Sequence, residues 1–298
     1  MLTRRSIAKL SLAPLIGAVA GAGDRVALAS DKSRSRLEPA LLKIEAESGG
    51  RLGVAVLDTQ RDTSAGHRLN ERFPMCSTFK VLLAAAILAK VDAGKEQLGR
   101  RIGIEPSDIL SYAPVTMPHI GGEGMTVSEL CEAAVTWSDN TAANLLLGSI
   151  GGPAALTGYA RSLGDGVTRL DRIEPDLNEA TPGDVRDTTT PLAMAANFKS
   201  LATGTALSDA SREQLVAWLV GCRTGDAKLR AGLPKSWRVG DKTGSGKNGS
   251  SNDVAVIWPD GRKPLIIASY LTEMAASDDQ RNAVHAAAAR AVVAALAE

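Results

Sequence analysis

Strand-forming sequence in this chain lies toward its two ends, and the long middle is helical, so the ends must come together in one sheet. Leu52-Gly53-Val54-Ala55-Val56-Leu57-Asp58 reads as a buried strand, and a turn-rich piece leads to a second strand near His67 to Asn70, as in a hairpin. Strand character returns at Val239 to Thr243, Asp253 to Trp258 and Leu265 to Leu271, with Pro259-Asp260-Gly261-Arg262 turning between the last two. Helical signals fill the interval: Val81 to Val91, Val127 to Val135, Thr141 to Leu147, Pro153 to Leu163, Pro191 to Ser200 and Ser211 to Val220. Two stretches interrupt them, Pro114 to Gly124 and the polar segment Asp165 to Thr190. A helix over Leu37 to Glu47 follows a polar linker at Asp31 to Ser35, and the alanine-rich helix Asp278 to Ala297 closes the chain. The expected class is α/β (α+β), an antiparallel sheet of N- and C-terminal strands flanked by helices, plus an all-helical lobe. The α/β lobe should take about 30–73 and 225–298, and the helical lobe about 74–224, of a single domain spanning 30–298.

Val81 to Val91 is almost unbroken in apolar residues, starts around Ser77 and stops at Gly94, so it reads as a helix buried on every side. With 298 residues, 44% of them hydrophobic, the chain can bury a sizeable core around such a helix. Lys+Arg is 34 against Asp+Glu 33, which excludes the basic footprint of a nucleic-acid binder or a polybasic membrane anchor and leaves a small molecule as the expected partner. Cys76, Cys131 and Cys222 are too scattered for a disulfide framework. His67, His119 and His285 lack metal-ligand spacing, so no metal is expected, and the plain reading is three surface or capping histidines. No cofactor is expected either.

Residues 1–29 read as an export signal. Thr3-Arg4-Arg5-Ser6-Ile7-Ala8-Lys9 resembles a twin-arginine leader, a modest apolar stretch runs from Leu10 to about Ala22, and Ala27-Leu28-Ala29 offers a cleavage pattern before Ser30. That stretch is shorter than the ~18 residues of a membrane span and contains Pro14. An exported, periplasmic or secreted protein without stable membrane association is expected.

Three short runs carry the chemistry: Ser77-Thr78-Phe79-Lys80, Ser138-Asp139-Asn140 and Lys242-Thr243-Gly244. Ser-x-x-Lys alone says little, since Ser6 to Lys9 repeats it. At the head of a buried helix, however, Ser77 lies near unsatisfied N–H groups and the positive end of the dipole. Lys80 falls one turn later on the same face, where desolvation would lower its pKa and make it a proton acceptor. Ser138-Asp139-Asn140 also reads as a cap for the helix beginning at Thr141, and Lys242 as an edge-strand charge.

The ordered set resembles class A serine β-lactamases, including penicillinase and cefotaxime-hydrolysing members, and the related penicillin-binding proteins. The resemblance runs from about Leu37 to the C-terminus. It includes Cys76, Tyr112 in Tyr112-Ala113-Pro114-Val115-Thr116, Arg186-Asp187-Thr188-Thr189-Thr190-Pro191, and a Glu174-Pro175-Asp176-Leu177-Asn178 segment that looks like the family's Ω-loop, with Glu179-Ala180 behind it. It implies a β-lactamase/transpeptidase-like fold and a monomer that hydrolyses β-lactam antibiotics through an acyl-enzyme. By resemblance, Ser77 is the nucleophile, and its backbone N–H and that of Ser245 form the oxyanion hole. Lys80 or Glu174 is the base, and Ser138 with Lys242 passes a proton to the leaving nitrogen. Asn140, Thr243, Ser245 and Tyr112 meet the substrate, Glu174 and Asn178 hold the hydrolytic water, and Arg172 with Asp187 clamps the loop. Glu174-Pro175 is expected to be cis, as in the family. A peptidoglycan DD-peptidase or transpeptidase would share the serine runs but not Glu174 and Asn178, and a covalent β-lactam sensor would need a spanning transducer.

The chain departs from the family in one respect. The arginine that many members use against the substrate carboxylate is replaced at both matching positions, by Ser251 and Asn282. Lys228 and Arg230 precede the third run, and Lys228 is the preferred substitute, its alternative being a solvated surface lysine. Gly246 stands where a carbapenemase subgroup carries a cysteine paired to the one before the nucleophile, so Cys76 lacks that partner.

Overall fold

The computed structural model describes residues 27–28 and 31–296, with side chains from Arg36. The export-signal reading therefore lies outside the described residues apart from Ala27–Leu28. Five strands form the body of the sheet: β1 (Arg51–Asp58), β2 (Thr63–His67), β3 (Arg238–Ser245), β4 (Ser251–Trp258) and β5 (Leu265–Thr272). Their order is β2-β1-β5-β4-β3, all antiparallel, and Ala27–Leu28 adds a short parallel pairing beyond β2. The two chain ends thus share one sheet, with β3 at its edge.

Alternation along the strands sorts two cores. Leu52, Val54, Val56, Ile257 and Ile267 face helices α1 (Asp31–Ser48) and α8 (Asp278–Leu296), meeting Leu37, Leu41, Val284, Ala288 and Val292. Ala55, Leu57, Val254, Val256, Ile266 and Ala268 face the opposite way, into the core shared with the helical lobe. A sheet covered on both faces explains why these strands read as unbroken apolar runs. The intervening helices are α2 (Phe79–Asp92), α3 (Val127–Thr136), α4 (Asn140–Ile150), α5 (Gly152–Ser162), α6 (Pro191–Ala202) and α7 (Asp209–Val220). Every residue of α2 from Phe79 to Leu88 is buried, as its uniform apolarity requires.

Two local expectations need correction. Asp31 to Ser35 is helical rather than a linker, for no Gly or Pro interrupts the chain between Asp31 and Leu37. The second strand runs Thr63–His67, not His67 to Asn70, because the chain turns left-handed at Arg68 (φ 48°). Glu45 fixes that turn: its carboxylate accepts from Leu52 N (2.8 Å) and Arg68 Nε (2.7 Å) and meets His67 Nε2 (2.9 Å).

Burial pushes the Glu45 carboxyl up, but the hydrogen bonds from Arg68, Leu52 and His67 outweigh it and hold the group at about 2, below its ordinary 4.5. A depressed carboxylate stabilises the fold above its unfolded pKa, and that contribution disappears as pH falls through the folded value. Thermal melts between about pH 4.5 and 2 should therefore show a loss of Tm in the parent that is smaller in Glu45→Gln.

Candidate active site

The reactive side chains converge where the head of α2, the α3–α4 junction, the loop after α5 and the edge strand β3 meet. A single 3-10 turn, Cys76–Thr78, delivers Ser77 onto α2. The turn is pinned from several sides. Thr78 Oγ1 donates to Met75 O (2.8 Å) and pairs with Tyr270 OH (3.0 Å), and Asn252 Nδ2 on β4 donates to Pro74 O (2.9 Å) and Met75 O (3.0 Å). Cys76, Ser138 and Asp187 all sit at positive φ (44°, 61° and 56°), a strained conformation for residues with a Cβ, and all three border this centre.

Lys80 Nζ is the hub. It lies 3.0 Å from Ser77 Oγ, 2.8 Å from Ser138 O, 2.6 Å from Asn140 Oδ1 and 3.0 Å from Glu174 Oε1. The Lys80 and Glu174 side chains are fully buried, and Ser77 Oγ itself reaches Glu174 Oε1 at 3.3 Å. Burial pushes the Lys80 ammonium down, and Glu174 pulls the other way. Lys242 Nζ donates to Ser138 Oγ (2.9 Å) and Thr243 O (2.9 Å), so Ser138 is held between two lysines. Burial takes Lys242 down to about 7; Cys222 opposes this shift and the nearby Lys80 charge adds to it.

Asp139 works in two directions from the α3–α4 junction. Its carboxylate caps α4 through Ala142 N (2.9 Å) and accepts from Val115 N and Thr116 N (both 2.9 Å), closing the loop that carries Tyr112. Tyr112 is about half exposed at the rim, its hydroxyl donating to Trp137 O (3.2 Å). Thr243 lies in the buried part of β3 and Ser245 at its exposed end. A Cβ on Gly244 would meet Met75 O at 2.9 Å and Cys76 Cβ at 3.2 Å, so only glycine lets β3 come this close to the nucleophile's turn. One on Gly246 would meet Cys76 Sγ at 2.7 Å and Asn178 O at 2.9 Å. All three cysteines are free and buried.

The loop after α5 presents Glu174. Its peptide bond to Pro175 is cis. Asn178, in the 3-10 turn Asp176–Asn178, donates through Nδ2 to Glu174 Oε2, while its buried Oδ1 has no hydrogen-bond partner. Arg172 Nε donates to Asp187 Oδ2 (2.6 Å), and Asp187 Oδ1 accepts from Asp171 N (2.7 Å) and Arg172 N (2.9 Å). Asp187 is 1% exposed, so Asp187→Ala would leave the part-exposed Arg172 guanidinium with Glu179 alone and free two amides. It should destabilise the loop by about 1–3 kcal/mol, read as lost hydrogen-exchange protection over 171–187.

Sequence reasoning missed two supports. Asn144 grips Glu174 twice, Nδ2 donating to Glu174 O (2.8 Å) and Oδ1 accepting from Glu174 N (3.0 Å). Its place four residues after Asn140, one turn along the same face of α4, was the available signal. Thr224 Oγ1 lies 2.6 Å from Thr243 Oγ1, and nothing local in the sequence marks it.

Lys228 and His285 are both drawn inside. Lys228 is no solvated lysine: it is 6% exposed, and Nζ donates to Ser251 Oγ (2.9 Å), Asn252 O (3.1 Å) and, at 3.4 Å, Gly244 O. Arg230 turns to Asp241 (Nε to Oδ1, 2.6 Å). His285 is neither a surface nor a capping residue but fully buried, because it belongs to the inner stripe of α8 with Ala288, Ala289 and Val292. Among the described residues no cluster of three His, Cys, Asp or Glu side chains is placed to hold a metal.

A serine between a buried lysine and a buried glutamate, faced by a second serine–lysine pair, defines a serine acyl-transfer enzyme that works without histidine. The model of the β-lactamase enzyme family matches residues 36–296. The chain is 51% identical over 252 residues to β-lactamase CTX-M-8 of Citrobacter amalonaticus, covering 85% of this chain and 86% of that one. It is 48% identical over 260 residues to β-lactamase OXY-2 of Klebsiella oxytoca, covering 87% and 89%. Among solved structures, the ancestral class A β-lactamase of Gram-negative bacteria superposes with a TM-score of 0.86 at 62% identity, covering 87% of this chain and 99% of that one. This chain belongs to the β-lactamase enzyme family as a class A member, and its activity is the hydrolysis of β-lactams.

Proposed function

We propose that the reaction runs through an ester on Ser77. The observation that carries this reading is the contact of one buried carboxylate oxygen, Glu174 Oε1, with both Ser77 Oγ and Lys80 Nζ. Ser77 attacks the lactam carbonyl while its proton leaves toward Lys80 or Glu174, and the backbone N–H groups of Ser77 and Ser245 take the oxyanion. Ser138, bridged to both lysines, hands a proton to the departing nitrogen and is recharged from Lys242. Glu174 and Asn178 then hold and deprotonate the water that cleaves the ester; the unpartnered Oδ1 of Asn178 supplies an acceptor for it. Asn140, whose Oδ1 is taken by Lys80, keeps its amide N–H₂ for the acyl side chain of the substrate, and Tyr112 walls the rim. Thr243 and Ser245 receive the substrate carboxylate. The protein acts as an exported monomer, residues 30–298 after loss of residues 1–29, without stable membrane association; among the described residues no helix is long and apolar enough to cross a membrane.

Lys228 supplies the positive charge that favours the carboxylate, from beneath Gly244 and Ser251 rather than from the surface. Lys228→Ala should weaken kcat/KM for carboxylate-bearing substrates by about 1–2 kcal/mol. An unchanged value removes Lys228 from the site.

Steady-state assays with a penicillin, two cephalosporins and a carbapenem test the proposal as a whole. Multiple turnovers of the penicillin without lasting inactivation are expected. Stoichiometric acylation followed by arrest would mean that Glu174 and Asn178 do not act as assigned.

A further inference from the structure

His285 is the one fully buried histidine among the described residues, and the reaction as written does not use it. From α8 it reaches the sheet at two points. Nδ1 lies 2.8 Å from Ser269 Oγ on β5, and Nε2 lies 3.1 Å from Ser251 Oγ on β4. Ser251 is in turn 2.9 Å from Lys228 Nζ and is the cross-strand partner of Ser245 at the end of β3. Ser269, Ser251 and His285 are each at most 3% exposed, so water does not complete this chain of contacts from outside.

One donor pattern satisfies the whole chain of contacts. The ammonium of Lys228 has only donors, so Ser251 Oγ accepts from it and must point its own hydrogen elsewhere. With Nε2 of His285 accepting that hydrogen, Nδ1 is protonated and donates to Ser269 Oγ. Burial, with the Lys228 charge adding to it and a hydrogen bond to the Ser251 backbone opposing it, pushes the ring well below its ordinary pKa, consistent with a neutral imidazole. A hydroxyl held in this way turns its oxygen toward Lys228. The other Nζ contacts, Asn252 O and the longer one to Gly244 O, lie under the strand end that carries Thr243 and Ser245.

We propose that His285 is a positioning residue for substrate binding: through Ser251 it holds the Lys228 ammonium under the Gly244–Ser245 end of β3, where the substrate carboxylate docks. The inference rests on the reading of Lys228 as the cation that favours that carboxylate. It assigns a task to the C-terminal helix and explains how Ser251, at a position matching the arginine of many class A enzymes, remains part of the anion site.

The test compares one penicillin with its carboxylate methyl ester across four variants. Asn at position 285 places an amide near Nδ1 and keeps the Ser269 bond but loses Ser251; Gln places its amide oxygen near Nε2 and keeps the Ser251 bond. His285→Asn and Ser251→Ala should raise KM for the acid roughly 3- to 10-fold, the loss of about one hydrogen bond, with kcat and ester hydrolysis near parental. His285→Gln should stay near the parent. Lys228→Ala should itself lose preference for the acid, and adding His285→Asn to it should change nothing more. Equal effects of His285→Asn on acid and ester, or additivity with Lys228→Ala, would make His285 merely structural and overturn the proposal while leaving Lys228 in place. If Lys228→Ala keeps the parental preference for the acid, the reading of Lys228 falls and the route through it falls too. Should His285→Asn prove too unstable to assay, Ser251→Ala decides by the same comparison.

Discussion

Glu174→Ala is expected to be acylated by penicillin and then to release the product about 10²- to 10⁴-fold more slowly than the parent, the range that a positioned general base supplies. The carboxylate is 1% exposed and gripped through its backbone by Asn144 and through Oε2 by Asn178. Among the described residues no other carboxylate touches Ser77, so nothing there replaces it on a deacylating water. Acylation should suffer less, because Lys80 still contacts Ser77 Oγ at 3.0 Å. Single-turnover kinetics should therefore separate a fast burst from a slow steady state.

Lys80→Ala should damage both chemistry and fold. Acylation should fall by about 10²- to 10⁴-fold, since the ammonium organises Ser77, Ser138 and Asn140 at once. Glu174 would also lose its buried countercharge at 3.0 Å, and breaking such a pair from one side costs about 3–5 kcal/mol. A lower Tm should accompany the kinetic loss. Lys80→Arg should not restore acylation, for a guanidinium keeps its proton and cannot accept one. A Lys80→Ala enzyme acylated at the parental rate would leave activation of Ser77 to Glu174 alone.

Much of this arrangement was legible in the chain. The three serine and lysine runs, the helix over 79–92 and the late strands follow from local patterns that tertiary contacts only reinforce. The Glu174 segment was legible by resemblance, because its shape depends on Arg172 and Asp187, fifteen residues apart in sequence and 2.6 Å apart in space. Lys228 and His285 resisted for the opposite reason. A lysine in a turn-rich stretch and a histidine among alanines are ordinary surface patterns, and only the closure of α8 over β4 and β5 buries them together. Thr224 was hidden likewise, since its partner lies across the fold rather than along the chain.

The central claim is that Glu174 turns an acylated serine into a catalytic one, and mass spectrometry of the intact protein tests it most directly. After mixing with a penicillin, the Glu174→Ala variant should carry a persistent mass increase of one penicilloyl group, mapped by peptide digestion to Ser77, while the parent shows none once the substrate is exhausted. A variant that cleared the adduct as fast as the parent, or carried it on another residue, would contradict the account.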